Sequence, residues 1–214
     1  MEKLRKHKKM LLITSLITIL PMLIGLLLWD KLPNEIATHF DINGTPDGWS
    51  SKTFTVFGLP SFLLICHLFG TAATLADPRR QQIGEKIFKL ILWICPLITV
   101  FLSVTVYGHA LGLKQNTTPL GMILIGIIFI VVGNYLPKCR QNYTIGIKVP
   151  WTLHDEENWN HTHRFAGKLW LLGGVCILIL SIWDWGSLGI TLGITVILAI
   201  IPTLYSFIYY LKHR

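Results

Sequence analysis

Six stretches of the chain carry almost only apolar side chains, and the polar residues gather between them. They span residues 10–29, 54–75, 87–111, 120–136, 169–183 and 188–211. A helix rises 1.5 Å per residue, so about 20 apolar residues cross the roughly 30 Å hydrocarbon layer of a bilayer. The pattern therefore predicts an all-α, polytopic membrane protein with six transmembrane helices. The fifth stretch is short, which places the start of its helix in the amphipathic segment before it. Lys89 sits at the margin of the third stretch; the interiors of all six hold no fixed charge. Ion-driven transporters place carboxylates or cations inside their spans, so this argues against an ion-coupled pump. His67, deep in the second span, is the ionisable exception and reads as a neutral histidine bonded to a neighbouring helix. Pro21, Pro60, Pro96 and Pro202 read as packing features that kink or unwind spans.

Composition agrees: 52% of the 214 residues are hydrophobic and 14% charged, against about 45–50% and about 25% in ordinary soluble domains. The scattered Cys66, Cys95, Cys139 and Cys176 form no disulfide framework. The basic residues 1–9 precede an apolar run without a small-x-small cleavage site, so this segment reads as a retained anchor.

The formal charge of +8 becomes informative once its position is considered. Assigned to alternate sides of six spans, 16 of the 19 Lys and Arg residues fall on one side, and only Lys31, Lys52 and Lys114 on the other. By the positive-inside rule both termini and the 76–86 and 137–168 loops are expected in the cytoplasm, with 30–53, 112–119 and 184–187 outside. The charge is thus explained without nucleic acid; the expected partner is the bilayer.

Two loops hold nearly all the polar chemistry. The outer one, 30–53, contains Leu-Pro, Asn-Gly and Pro-Asp-Gly steps that form turns, so it is expected to fold compactly. His39, Asp41 and Asp47 suggest a cation, yet a calcium loop would place an acid where Lys52 stands. The inner loop, 137–168, is broken by Pro137 and Pro150. Thr152 followed by Asp155 resembles a capping box, and Asp155, Glu156 and Glu157 suit the positive end of a helix continuing into the fifth span. On that helix Trp159, His163, Ala166, Trp170 and Gly173 share one stripe, and His154, Glu157, His161 and Arg164 another. A carboxylate with two imidazoles suits zinc, making His154, Glu157 and His161 the candidate metal ligands; the polar surface helix is the simpler reading. No other metal and no cofactor is indicated. The sequence holds no Ser-His-Asp order, His-Glu-x-x-His pair or phosphate loop.

The run Gly133-Asn134-Tyr135, Pro137-Lys138, Asn142-Tyr143, Ile145 to Lys148, Pro150 to Leu153, Asp155 to Glu157, Trp159, Thr162 to Arg164 and Gly167 closely resembles the signature of the SdpI-type immunity proteins of bacteria. Pro33, Ile36, His39, Phe40, Gly44, Asp47, Trp49 and Lys52 resemble a short membrane domain of unknown function often fused in front of it. The division implied is 1–112 for that domain and 113–214 for the SdpI-like one, each with three spans. The resemblance implies a protein of the bacterial cytoplasmic membrane that protects its producer from a secreted membrane-active toxin peptide. It also implies sequestration of a transcriptional repressor at the membrane. Gln141 stands where proline is common in the family, and Lys148 where arginine is expected, keeping the charge without the bidentate fork.

The candidate recognition residues are then Pro33, His39, Phe40, Gly44, Asp47, Trp49 and Lys52 outside. Inside they are Asn134, Asn142, Lys148, Trp151, Glu157, Trp159, His163 and Arg164. None is assigned a catalytic role. Trp29, Trp49, Trp183 and Trp185 offer amphipathic contact at the outer helix ends, and Gly121, Gly126 and Gly133 mark close helix packing along the fourth span. Two alternatives stay open: a membrane-embedded metal-dependent enzyme using the inner-loop histidines, and a small permease.

Overall fold

The computed structural model describes residues 2–113, 117–182 and 188–213. All six predicted spans are helical: α1 (Glu2–Leu27), α2 (Leu59–Ala76) preceded by a π-helical turn (Phe54–Gly58), α3 (Glu85–Ala110), α4 (Thr117–Tyr135), α6 (Glu156–Ile182) and α7 (Leu188–Lys212), with the short α5 (Pro150–His154) ahead of α6. Among the described residues, six helices are long and apolar enough to cross a membrane. Their outer faces suit that solvent: Phe62, Phe69, Leu172 and Leu192 are exposed, Phe69 by 74%, a surface that water would not tolerate over such an area. The polar side chains of the spans turn inward instead. Thr14, Thr18, His67, Thr71 and Thr99 are buried, and hydroxyls such as Thr18, Thr71 and Thr99 donate to the carbonyl one turn earlier at 2.7–2.8 Å.

The chain forms two compact units, residues 1–76 with 88–117, and residues 77–87 with 118–214. In the first, Thr14 Oγ1 of α1 lies 3.1 Å from His67 Nε2 of α2, so the histidine is bonded to a neighbouring helix as expected. Tyr107 of α3 donates to the Pro21 carbonyl at 3.1 Å. Gly25, one turn on, leaves room for that hydroxyl, because a Cβ there would stand 2.7 Å from it.

The outer loop of this unit departs from a purely helical reading. It forms an antiparallel hairpin of β1 (Glu35–Phe40) and β2 (Pro46–Ser51), with Ile36 opposite Ser50 and Ala37 opposite Trp49. The turn is the predicted Asn-Gly one. Gly44 takes φ +80°, and Asp41 Oδ1 accepts the backbone N–H groups of Asn43 and Thr45 at 2.9 and 2.7 Å. The base of the hairpin is fastened by a cluster of Leu32, Ile36, Val56, Val106 and Tyr107.

In the second unit α4 and α6 meet through glycines seven residues apart on each helix. A Cβ on Gly126 would stand 3.0 Å from the Gly174 carbonyl oxygen, and one on Gly167 2.7 Å from that of Gly133. Such backbone approach is how membrane helices gain contact when lipid supplies no hydrophobic drive. Side-chain hydrogen bonds tie α6 to α7. Asn158 Nδ2 donates to the Ser206 carbonyl at 3.0 Å while its Oδ1 accepts the Ser206 hydroxyl at 2.9 Å. Trp170 Nε1 donates to the Leu198 carbonyl at 2.8 Å.

The start of the fifth span needs a correction. Asp155, not Thr152, caps it: Asp155 Oδ1 accepts the N–H groups of Glu157 and Asn158 at 2.9 and 3.2 Å. Thr152 belongs to α5, where its hydroxyl oxygen accepts the Val149 N–H at 3.1 Å. The backbone is extended at Asp155 (φ −131°, ψ 113°), so the helix stops and restarts there. His154 and Glu157 therefore do not share one continuous helical stripe. Lys114, Trp183 and Trp185, and the 184–187 loop, lie outside the described residues.

Candidate functional site

The segment from Leu136 to Asp155 has one regular element, α5, apart from a 3₁₀ turn at Leu136–Lys138. Its backbone groups are satisfied by side chains, with Asn142, which is fully buried, at the centre. The Asn142 amide oxygen accepts the N–H groups of Thr144 and Ile145 at 2.9 and 2.7 Å. Its Nδ2 donates to the carbonyls of Arg140 and Ile145 at 2.8 and 3.1 Å. One side chain thus does for this loop what a strand partner does in a sheet. The Cys139 thiol lies against the same amide, 3.4 Å from Nδ2. Burial pushes its pKa up to about 11, partly opposed by that hydrogen bond, so it stays a neutral thiol.

A wall of α6 closes the loop. Trp159 is fully buried and its Nε1 donates to the Cys139 carbonyl at 2.7 Å. His163 stacks on the Trp159 ring with centroids 4.0 Å apart. The Ile147 N–H donates to His163 Nε2 at 3.0 Å, which fixes the neutral tautomer whose Nδ1–H points to the Trp159 carbonyl at 2.8 Å. Gly146 passes over both rings at φ +116°, where a Cβ would meet His163 Nε2 at 2.4 Å.

The 77–84 turn is knotted into the same loop by Asp77, a buried carboxylate. Asp77 Oδ2 accepts the Tyr143 N–H at 2.9 Å and the Thr144 hydroxyl at 2.6 Å, and Oδ1 accepts the Arg79 N–H at 2.7 Å. Arg79 donates to Gln141 Oε1 and lies over the Tyr143 ring. Gln141 Nε2 donates onward to the Thr152 carbonyl at 2.7 Å. A proline at 141 would make neither side-chain bond.

Asp77, Asn158 and Ser206 are residues that sequence reasoning missed, and Gln141 was read only as a departure from the family pattern. The available signals were a carboxylate before a proline in a basic loop, and amides set at helix ends among apolar residues. Asp77→Ala is expected to cost about 3 kcal/mol, since buried N–H and hydroxyl groups lose their acceptor. Unfolding of the purified protein in detergent measures this. Asp77→Asn, which keeps the shape, should recover part of the loss.

Of the inner candidates, Asn142, Trp159 and His163 are brought together. Trp151 packs instead against α7, 5.1 Å from the Phe207 ring and 6.2 Å from that of Tyr210. Asn134, Lys148, Glu157 and Arg164 are exposed; Lys148 Nζ donates to the Thr144 carbonyl at 2.8 Å, and Asn134 accepts Lys138 Nζ at 3.3 Å. The candidate metal ligands are not gathered. His154 Nδ1 faces the Pro150 carbonyl at 2.6 Å, and Glu157 lies 3.9 Å from His161 as an exposed pair. Among the described residues no group of three His, Cys, Asp or Glu side chains is placed to hold an ion.

At the hairpin, His39 Nδ1 and Asp47 Oδ1 are 2.5 Å apart across the strands. Phe40 packs edge-on to His109 at 5.2 Å, and the Gly44 carbonyl accepts the Thr117 hydroxyl at 3.1 Å. Lys52 Nζ donates to the Trp29 carbonyl at 3.1 Å and lies over the Trp29 ring. Pro33 is exposed ahead of β1. Trp49 is 58% exposed, an unusual posture for an indole that packing alone would bury.

Comparison with known proteins bears on both regions. A family model described as the SdpI/YfhL protein family matches residues 138–206, from the start of the inner loop to the serine that holds Asn158. One described as a domain of unknown function (DUF1648) matches residues 16–64, which include the hairpin. The Immunity protein SdpI of Bacillus subtilis (strain 168) is 30% identical over 206 residues, covering 94% of this chain and 96% of that protein. No solved structure matches.

Proposed function

The chain belongs to the SdpI/YfhL family, and from that premise we propose that it is a membrane immunity protein guarding its own cell against a secreted, membrane-active toxin peptide. The carrying observation is the likeness to Immunity protein SdpI along nearly the whole of both chains. The 16-to-3 division of Lys and Arg supports an orientation with both termini and the 137–168 loop in the cytoplasm of a bacterium and the hairpin outside.

In this reading the toxin arrives at the hairpin. The exposed Trp49 supplies amphipathic contact area, and the His39 and Asp47 pair supplies polar contacts on a surface made rigid by the Asp41 turn. Protection comes from binding the peptide before it inserts, not from catalysis. The loop knotted by Asp77, Asn142, Trp159 and His163 is then the cytoplasmic face offered to a repressor. Its ordered backbone supports a defined docking surface, with Lys148 and Arg164 as accessible cations.

Expression in a sensitive bacterium tests the proposal. Survival should rise selectively against one class of membrane-active peptide and stay unchanged against unrelated ones. Equal killing with and without the protein, at verified membrane levels, would remove the immunity reading. Single cysteines at Asn43 and Lys148 test the orientation: an impermeant thiol reagent should label the first in intact cells and the second only after lysis.

A further inference from the structure

A partly enclosed cavity of about 200 Å³ lies between α2 and α3 in the first unit. Thr55, Leu59 and Leu63 line it from the α2 side, and Tyr107, Ser103 and Thr99 from α3. The two series run antiparallel, and each covers nine residues, eight rises of 1.5 Å, so the cavity is a furrow about 12 Å long that follows the helix axes. The π-helical turn Phe54–Gly58 leads into α2 at this end of the furrow, and Pro60 is the second residue of α2.

The lining states what it accepts. Every hydroxyl in it already donates to a backbone carbonyl: Thr55 to Ser51 at 3.1 Å, Thr99 to Cys95 and Ser103 to Thr99 at 2.7 Å, and Tyr107 to Pro21 at 3.1 Å. No donor is left seeking a polar ligand, so the occupant is apolar. The furrow's length along the axes suits a chain better than a ring. Both walls belong to helices long and apolar enough to cross a membrane, and the lining residues Phe62 and Leu102 are exposed, so in a bilayer the furrow meets hydrocarbon, where the apolar chain present in bulk is a lipid tail.

Close in sequence to this lining is a cation. Lys52 precedes Thr55 by three residues and uses one donor on the Trp29 carbonyl, leaving two N–H groups for a second acceptor. We propose that this furrow is a phospholipid site: one acyl chain lies between α2 and α3, and the phosphate meets Lys52 beside the hairpin. The lipid would then brace the base of the hairpin, where Val106 and Tyr107 both line the furrow and hold Ile36 and Val56.

The test uses the full chain in vesicles of phosphatidylethanolamine and phosphatidylglycerol, the latter carrying a photoreactive diazirine on its acyl chain, with adducts mapped by mass spectrometry. Val104 is the internal control, being 64% exposed at the same depth of α3. Adducts at the partly covered Leu59, Leu63 and Ser103 should exceed those at Val104 by roughly tenfold, the ratio given by about two extra methylenes of contact. Ser103→Phe, which fills the furrow, should remove that excess, and Lys52→Gln should reduce it for the anionic probe. Equal labelling at Val104 in the unmodified protein would overturn the proposal, whatever the variants do. So would protein-to-protein crosslinks in place of lipid adducts, which would mean a second copy fills the furrow.

Discussion

Trp159→Ala is expected to cost about 4 kcal/mol, the largest loss from any single truncation in the inner loop. The side chain is fully buried, so removing it opens a void that a loop pinned on every side collapses into poorly. The Cys139 carbonyl loses its donor, and a buried acceptor without a partner adds about 1–3 kcal/mol of its own. His163 loses the ring it stacks on, and with it the wall that receives the Ile147 N–H. Thermal unfolding in detergent should show the loss. Trp159→Phe restores most of the volume but not the N–H, and is expected to fall between the two.

Gly167→Leu should be worse tolerated, because the obstacle is backbone. A Cβ at this position would stand 2.5 Å from the Pro137 ring and 2.7 Å from the Gly133 carbonyl. Neither can rotate away as a flexible side chain does, so α4 and α6 must separate. Gly167→Ala alone is expected to cost about 3 kcal/mol, the upper part of the range for overpacking, and the leucine variant should give no folded protein in size-exclusion profiles. Gly121→Ala is the contrast. A Cβ there would have its nearest neighbour at 4.0 Å, on Leu188, so its effect should stay within about 0.5 kcal/mol.

The glycine contrast shows how far the sequence could be read. Apolar length announced the six spans, because that signal needs no knowledge of partners. Gly121, Gly126 and Gly133 looked alike in one dimension, and only the facing Gly167 and Gly174 distinguish them. The hairpin was legible as a turn but not as strands. Ile36 and Ala37 are both buried in succession, and the register shifts between Ala37 and His39, so the period-two alternation that betrays a strand is broken. At the inner loop the aromatic and imidazole stripe of Trp159 and His163 could be read from helical spacing. Asp77 carried a local signal, a carboxylate before a proline, but its part as anchor of this loop could not be read, since its partners lie 66 and 67 residues away. The extended backbone at Asp155 was equally hidden: it interrupts what spacing alone presents as one helix, and with it the stripe that joined His154 to Glu157 and His161.

The division of labour between hairpin and inner loop is the centre of the account, and survival of a sensitive bacterium carrying Trp49→Ala or Trp151→Ala, at membrane levels matched to the unmodified protein, tests it most directly. Trp49 is exposed on β2, so its loss should leave the fold intact and abolish protection. Trp151 packs on α7 on the side proposed to face the cytoplasm, so its variant should still protect. Full protection by Trp49→Ala would contradict toxin recognition at the hairpin.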